Sequence, residues 1–230
     1  VIYHGMPTTS LSNRFIVNIQ NIQTDAILHI DDDLLFACED LDRIFYAVRA
    51  TVTFAEKLSQ TDSLATLSKK SQPFLCFFQW QKDTNAIVSP HGRGHRYVKD
   101  TKTSECRIQY HAQPRQSSGK NSEWSICLTK TAMMHKDWNE YYTRYTPDKI
   151  KEGVDEIRNG EDLAFQAVLS AALGRSGCHI VEAPFKDEGI PGGKAWTTAI
   201  SSSNKHGYYR DYCLNLIFQA LGYSPYSYIN

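Results

Sequence analysis

The sequence predicts an α/β domain with a largely parallel sheet flanked by helices, and three observations carry that expectation. Short apolar runs alternate with helical periodicities along the chain. One of those runs, Ala26-Ile27-Leu28-His29-Ile30, ends in three consecutive carboxylates, Asp31-Asp32-Asp33. Ligands of such sheets bind beyond the C-terminal strand ends, where that triplet falls. Finally, 41% hydrophobic residues in a 230-residue chain are enough for a substantial core.

In chain order, Val1-Ile2-Tyr3 reads as the end of a strand and Ala26–Ile30 as a short, mostly buried one. Leu34-Leu35-Phe36 then returns the chain to the interior. Leu41, Ile44, Phe45, Val48, Val52 and Ala55 recur at helical spacing, which predicts an amphipathic helix from about Asp40 to Leu58. A polar insertion occupies about 56–72, and the apolar run Phe74–Trp80 reads as a second helical piece. Ala86-Ile87-Val88 reads as a strand, followed by a flexible, positively charged loop over Pro90–His95. Tyr97–Gly119 is polar and carries no clear element.

Beyond Asn121 the patterns sharpen. Trp124–Leu128 reads as a strand, Thr131–Tyr142 as a helix ending in aromatics, and Lys149–Arg158 as a charged helix broken at Asn159-Gly160. A helix follows over Glu161–Leu173, then the strand Cys178–Val181 and a mobile glycine loop at Gly189–Gly193. The last helix runs from about Asn204 to Leu221 and stops at Gly222. No internal repeat is visible, and residues 1–230 read as one domain.

Composition excludes several classes. The 25 basic and 25 acidic residues balance, so bulk charge offers nothing to a polyanion and no nucleic-acid partner is expected. No apolar run approaches the ~18 residues of a membrane span, and no secretory signal is visible. The chain opens at Val1 rather than methionine, so a targeting or anchoring segment is expected upstream of it. Its six cysteines are scattered without a Cys-x-x-Cys pair, which argues against zinc and leaves disulfide pairing open.

Aspartates are poor strand formers and repel one another. Three in a row at a strand end are either a polar turn or a site where a hard divalent cation bridges to phosphate oxygens. Glu161-Asp162 form a second acid pair; with Asn159 ahead of them they also make an ordinary helix-capping pattern. Arg210 shares a helix face with His206 and Cys213, which suits either a phosphate contact or an internal salt bridge. Arg14 reads as a surface arginine or a nucleotide contact, and Trp196 as a sugar-stacking or a packing residue.

Several of these segments, taken together, resemble the exostosin family of glycosyltransferases. They are Asn13-Arg14-Phe15, Thr24–Leu28 leading into Asp31-Asp32-Asp33, Trp124–Leu128, Asn159–Ala164, and His206-x-x-x-Arg210-x-x-Cys213-x-Asn215. The resemblance implies a GT-A fold, a UDP-sugar donor, a glycan acceptor and manganese or another divalent cation. It implies transfer of α-linked N-acetylhexosamine with retention, in the Golgi or endoplasmic reticulum lumen. On the same basis Asp33 is the metal ligand, while Arg14, Asp31, Asp32 and Glu161 bind nucleotide and sugar. Asp162 becomes the catalytic carboxylate and Arg210 its counter-charge or that of the leaving diphosphate.

Two departures stand out. Family members carry a cysteine directly before the acid pair, bridged to one on the last helix; here Gly160 stands there, so Cys213 is expected to be a free thiol. By the same resemblance the first βαβ unit, which binds uracil and ribose in the family, is expected to be missing, and Thr9 falls where an asparagine contacts the nucleotide. The competing expectation is a catalytically inactive homologue that serves as a glycan-binding or partner subunit. A metal-dependent phosphohydrolase would need further His and Asp ligands at strand ends, and the sequence offers none.

Overall fold

Strand pairing decides this architecture. A computed structural model describes residues 9–15, 21–35, 85–99, 101, 104–112, 115–116, 122–180, 186–187, 192–194, 197 and 202–226. The expected strand at Val1–Tyr3, the elements between 36 and 84 and Trp196 lie outside the described residues. A 3₁₀ turn over Leu11–Phe15 precedes β1 (Ala26–Ile30) and β2 (Leu34–Leu35). Further strands are β3 (Ile87–Ser89), β4 (Gly92–Lys99), β5 (Cys106–His111), β6 (Arg115–Gln116), β7 (Ser122–Glu123), β8 (Ile126–Cys127) and β9 (Thr131–His135). Helices α1 (Asp137–Tyr145), α2 (Asp148–Ile157) and α3 (Glu161–Leu173) follow. The chain then forms β10 (Cys178–Ile180), β11 (Lys186–Asp187) and α4 (His206–Leu221).

The main sheet runs β1-β9-β3-β10. Here β1 and β3 are both antiparallel to β9, and only β3 and β10 run parallel. Among the described residues the sheets are therefore mixed, with antiparallel pairs in the majority, and the expected largely parallel sheet is corrected. The cause is β9. Thr131–Met134 are buried without alternation because the strand sits between two neighbours with its faces covered. A short apolar run of that kind has the same hydrophobic signature as a buried helix. The expected helix over Thr131–Tyr142 is thus a strand followed by α1, which begins at Asp137 with Asp137 and Glu140 in its first turn, favourable to the helix dipole.

A second correction concerns Pro90–His95. Rather than a flexible loop, most of it belongs to β4, which pairs with β5 from Gly94↔His111 to Lys99↔Cys106 and with β8 at Gly92 and Arg93. The glycine is there for space: a Cβ on Gly92 would lie 2.5 Å from the Trp124 ring. The polar stretch after Tyr97 contains the β5 partner strand, and α4 covers it. Asn215 accepts from the Ile108 amide (3.0 Å) and donates to its carbonyl (2.7 Å), while Asp211 accepts from Tyr110 N (2.7 Å).

The other helices follow their periodicities closely. The sequence bounds of α3 match the structure, and α4 ends at Gly222, whose φ of 77° lets its amide reach Phe218 O at 2.9 Å. The core is built where α1, α2, α3 and α4 meet the strands, around Phe15, Ile126, Met134, Tyr142, Leu163, Phe165, Leu214 and Ile217. Cys127 and Cys178 form a disulfide that joins β8 to β10 with Cα atoms 5.7 Å apart. Cys213 is free and buried, as expected, and Cys106 is free and exposed.

Candidate active site

The 3₁₀ turn that carries Arg14 is pinned from three sides. Phe15 is fully buried, stacked on Phe165 with ring centroids 4.3 Å apart and edge-on to Tyr142 at 5.1 Å. Ser12 Oγ lies 3.1 Å from the Tyr142 hydroxyl, and Ser10 Oγ donates to Asp155 at 2.6 Å. These contacts aim Arg14 inward, so it is not a solvated surface residue. Its guanidinium pairs with Asp31, donates to Glu161 Oε1 at 3.1 Å and to the Thr129 carbonyl at 3.2 Å. The first aspartate of the triplet and the first acid of the pair, 130 positions apart, thus share one cation.

The triplet itself is divided. β1 ends at Ile30, opposite Thr131 of β9, and the Asp31 amide donates to Lys130 O at 2.8 Å. Asp31 faces Arg14, and Asp32 points to solvent. Asp33 accepts from Lys130 Nζ at 2.9 Å through Oδ2, while its Oδ1 is buried without a hydrogen-bond partner. Burial pushes the Asp31 carboxyl up, against the pull of Arg14.

The acid pair sits in the first turn of α3. Asn159 does not cap this helix, which corrects the capping expectation: Gly160 occupies the N-cap at φ 83°, and the Asn159 side-chain amide lies 3.1 Å from His206 Nδ1. Asp162 is 6% exposed and is gripped by both terminal nitrogens of Arg210, itself 5% exposed, with the Nη2–Oδ2 bond at 2.9 Å. Its Oδ1 also accepts from Leu163 N at 2.8 Å. Burial alone would raise the Asp162 carboxyl; the Arg210 guanidinium outweighs it and holds the group ionised, below the usual range. Glu161 goes the other way: burial and the adjacent Asp162 charge push it up, only partly offset by Arg14 and Arg210.

Beneath these acids, Arg210 Cζ lies 4.9 Å from the Tyr110 ring centroid, and the Tyr226 hydroxyl donates to Leu163 O at 2.9 Å. Burial, with the Arg210 charge beside it, lowers His206 to about 4, so its imidazole is neutral at neutral pH. A cleft of about 490 Å³ is lined by Thr9, Leu11, Ile157, Arg158, Ser202, Ser203 and Tyr209, and by none of the carboxylates.

Most of the expected residues therefore converge: Arg14, Asp31, Glu161, Asp162 and Arg210 form one ionic assembly, with Asp33 at its edge. Sequence reasoning missed Lys130, Tyr110 and Tyr226. Lys130 is legible only once β9 is recognised as the strand opposite β1, and Tyr110 lies in the stretch that showed no pattern. Among the described residues no three His, Cys, Asp or Glu side chains converge as a metal cage. Among the described residues, Asp33 could hold a divalent cation only with phosphate and water supplying most of the ligands, because one of its oxygens is paired with Lys130 and the other is buried.

The sequence matches the description "Glycosyl transferase family 64 domain" over residues 3–58 and 60–230. The chain belongs to glycosyl transferase family 64. A relative from Arabidopsis thaliana, glycosylinositol phosphorylceramide mannosyl transferase 1, is 27% identical over 224 residues, 94% of this chain and 52% of that protein. Exostosin-1 of Bos taurus is 23% identical over 215 residues, covering 94% of this chain and 23% of its own length. The Exostosin-like-3 homolog of Caenorhabditis elegans is 25% identical over 223 residues, 94% of the chain and 20% of that protein. The chain thus spans about half the length of the plant relative and a quarter or less of the two animal ones. The exostosin resemblance is borne out, and this family 64 chain is a glycosyltransferase domain.

Proposed function

We propose that this domain, on a GT-A fold, transfers a sugar from a nucleotide diphosphate, UDP in the first instance, to a glycan acceptor with retention. The observation that carries this reading is the shared Arg14, which ties the Asp31–Asp33 triplet to the Glu161–Asp162 pair in one site. A diphosphate leaving group needs positive charge at one end of the site, and the sugar carbon it leaves needs negative charge at the other. The triplet end carries Arg14 and Lys130; the α3 end carries Asp162, kept ionised by Arg210.

Asp162 stabilises the oxocarbenium-like carbon as its bond to diphosphate breaks and the acceptor oxygen bonds to it, the hydroxyl proton passing to the departing diphosphate. Glu161, at the rim of the pair, contacts the donor sugar. Both terminal nitrogens of Arg210 are on Asp162 and its Nε is buried, so its role is to hold that carboxylate rather than to bind phosphate. The cleft beside Thr9 and Tyr209 is the space assigned to the donor's nucleoside. Asp33 would hold manganese or another divalent cation, which, when bound, supplies Lewis-acid stabilisation of the departing diphosphate.

N-Acetylhexosamine is the proposed sugar, although the Arabidopsis relative is by name a mannosyl transferase. A lumenal Golgi or endoplasmic reticulum location fits the Cys127–Cys178 disulfide, which persists in oxidising compartments. Membrane attachment is assigned to a segment outside this chain; no helix among the described residues is long and apolar enough to cross a membrane.

The deciding experiment is a transfer assay on the full-length protein with UDP-N-acetylhexosamines and a nucleotide-activated mannose, alongside Asp162→Asn. The variant should bind donor as the native protein does and lose more than tenfold in turnover, at least about 1.4 kcal/mol of transition-state stabilisation. A smaller loss would remove Asp162 from the chemistry, and no transfer from any donor would favour an inactive glycan-binding or partner subunit.

A further inference from the structure

We propose that Lys130 is a resident cation that competes with a divalent metal ion for Asp33, so that metal enters this site with the nucleotide diphosphate and not before it. The inference rests on the assignment of Asp33 under Proposed function and goes beyond it, because it concerns a lysine that neither the sequence motifs nor the family resemblance assigns.

The placement of Lys130 is built into the sheet. It directly precedes β9, in antiparallel register with β1, and its carbonyl accepts from the Asp31 amide at 2.8 Å. From there its side chain returns across the strand end and brings Nζ to 2.9 Å from Asp33 Oδ2, with both side chains under 20% exposed. Asp33 has one other oxygen, Oδ1, and it is buried without a hydrogen-bond partner. A cation approaching from solvent therefore meets the oxygen that Lys130 already holds. To bind, it must displace the ammonium or turn the carboxylate, and in either case two positive charges are brought close together.

The neighbours do not relieve this. Asp31 is paired with Arg14, which also serves Glu161 and the Thr129 carbonyl; Asp32 faces solvent; and no third ligand converges among the described residues. A lone carboxylate with an ammonium on it is a poor site for a hard ion, which prefers several oxygen ligands. A bound diphosphate changes both terms. It supplies oxygen ligands to the ion, and it offers the flexible, compact lysine charge an alternative anion.

The test is a titration of Mn²⁺, read as free Mn²⁺ by its electron paramagnetic resonance signal, on the full-length protein with and without UDP. Variants are Lys130→Met, Lys130→Arg, Asp33→Asn and the Lys130→Met/Asp33→Asn double. Lys130→Met should bind Mn²⁺ at least tenfold more tightly than the native protein in the absence of UDP, Lys130→Arg should stay near native, and the double variant should lose the gain. Unchanged or weaker binding by Lys130→Met, with UDP-dependent binding still lost in Asp33→Asn, overturns the competition and leaves the metal assignment standing. If Asp33→Asn binds Mn²⁺ with UDP as the native protein does, both fall.

Discussion

The two acidic ends of this site are built differently. At the α3 end, Asp162 and Arg210 are almost sealed from solvent and joined by two hydrogen bonds, with Cys213, Tyr226 and Leu163 packed around them. At the β1 end, Asp33 and Lys130 are partly exposed and joined by one, and one carboxylate oxygen is unclaimed. The first arrangement has a single geometry; the second can exchange partners without unfolding anything. The difference teaches where this chain places rigidity: at the first turn of α3 and its partner on α4, and not at the end of β1.

Breaking the rigid end should cost most. Arg210→Met leaves Asp162 buried without a counter-charge, and the expected loss is about 3–5 kcal/mol in urea denaturation. Arg210→Met/Asp162→Leu should recover part of it, since the penalty lies in the orphaned charge. If the single and double variants were equally unstable, the contrast between the two ends would come from packing alone.

Gly160 is the next lever. Its φ of 83° is unfavourable for other residues, and a Cβ there would lie 2.5 Å from Cys213 Sγ and 2.8 Å from Cys213 Cβ. Gly160→Ala should cost about 1–3 kcal/mol, and Cys213→Ala in the same chain should relieve only the contact with sulfur. This geometry explains why a cysteine at 160 would not simply restore the family bridge. Disulfides need Cβ atoms about 3.5–4.5 Å apart, and here the loop has closed onto the last helix.

The open end should be cheap to disturb. Asp33→Asn is expected to stay within about 1 kcal/mol of native stability, measured by the same denaturation, while Mn²⁺-dependent UDP binding is lost. A large destabilisation would mean that Asp33 belongs to the scaffold after all.

Much of this was legible in the sequence, for identifiable reasons. The four described helices announced themselves by periodicity or by glycine stops, although α1 was merged with β9. β1 was bounded by the acids that end it, and the free Cys213 followed from Gly160. β9 was not legible because a strand covered on both faces loses its alternation, and the antiparallel pairing was lost with it. β4 was hidden because Gly92 admits an indole rather than a bend. Arg14 could be proposed but not placed, because its two acceptors, Asp31 and Glu161, meet only after the 3₁₀ turn docks on Phe165.

The smallest expected effect concerns acid. Burial and the Arg14 charge lower His29 from 6.5 to about 4, so the folded state favours the neutral ring. The stability this contributes is present above pH 6.5 and lost as the pH falls through about 4. In thermal melts, His29→Phe should lose less Tm than the native protein between about pH 7 and pH 4.5. Parallel curves would show that folding leaves His29 unshifted, its ring titrating alike in the folded and unfolded states.

The Cys127–Cys178 bond has a topological consequence. It closes a covalent ring, with a sequence separation of 51, that carries Lys130, Glu161 and Asp162; Arg14, the triplet and Arg210 lie on the two arms outside it. Closing a loop of that size removes about 4 kcal/mol worth of freedom from the unfolded chain. A protease that cuts within the ring leaves a single molecule of unchanged mass plus one water, and only a reductant releases two fragments. A cut in either arm splits the chain at once, so the pattern of fragments before and after reduction reads directly which side of the ring was opened.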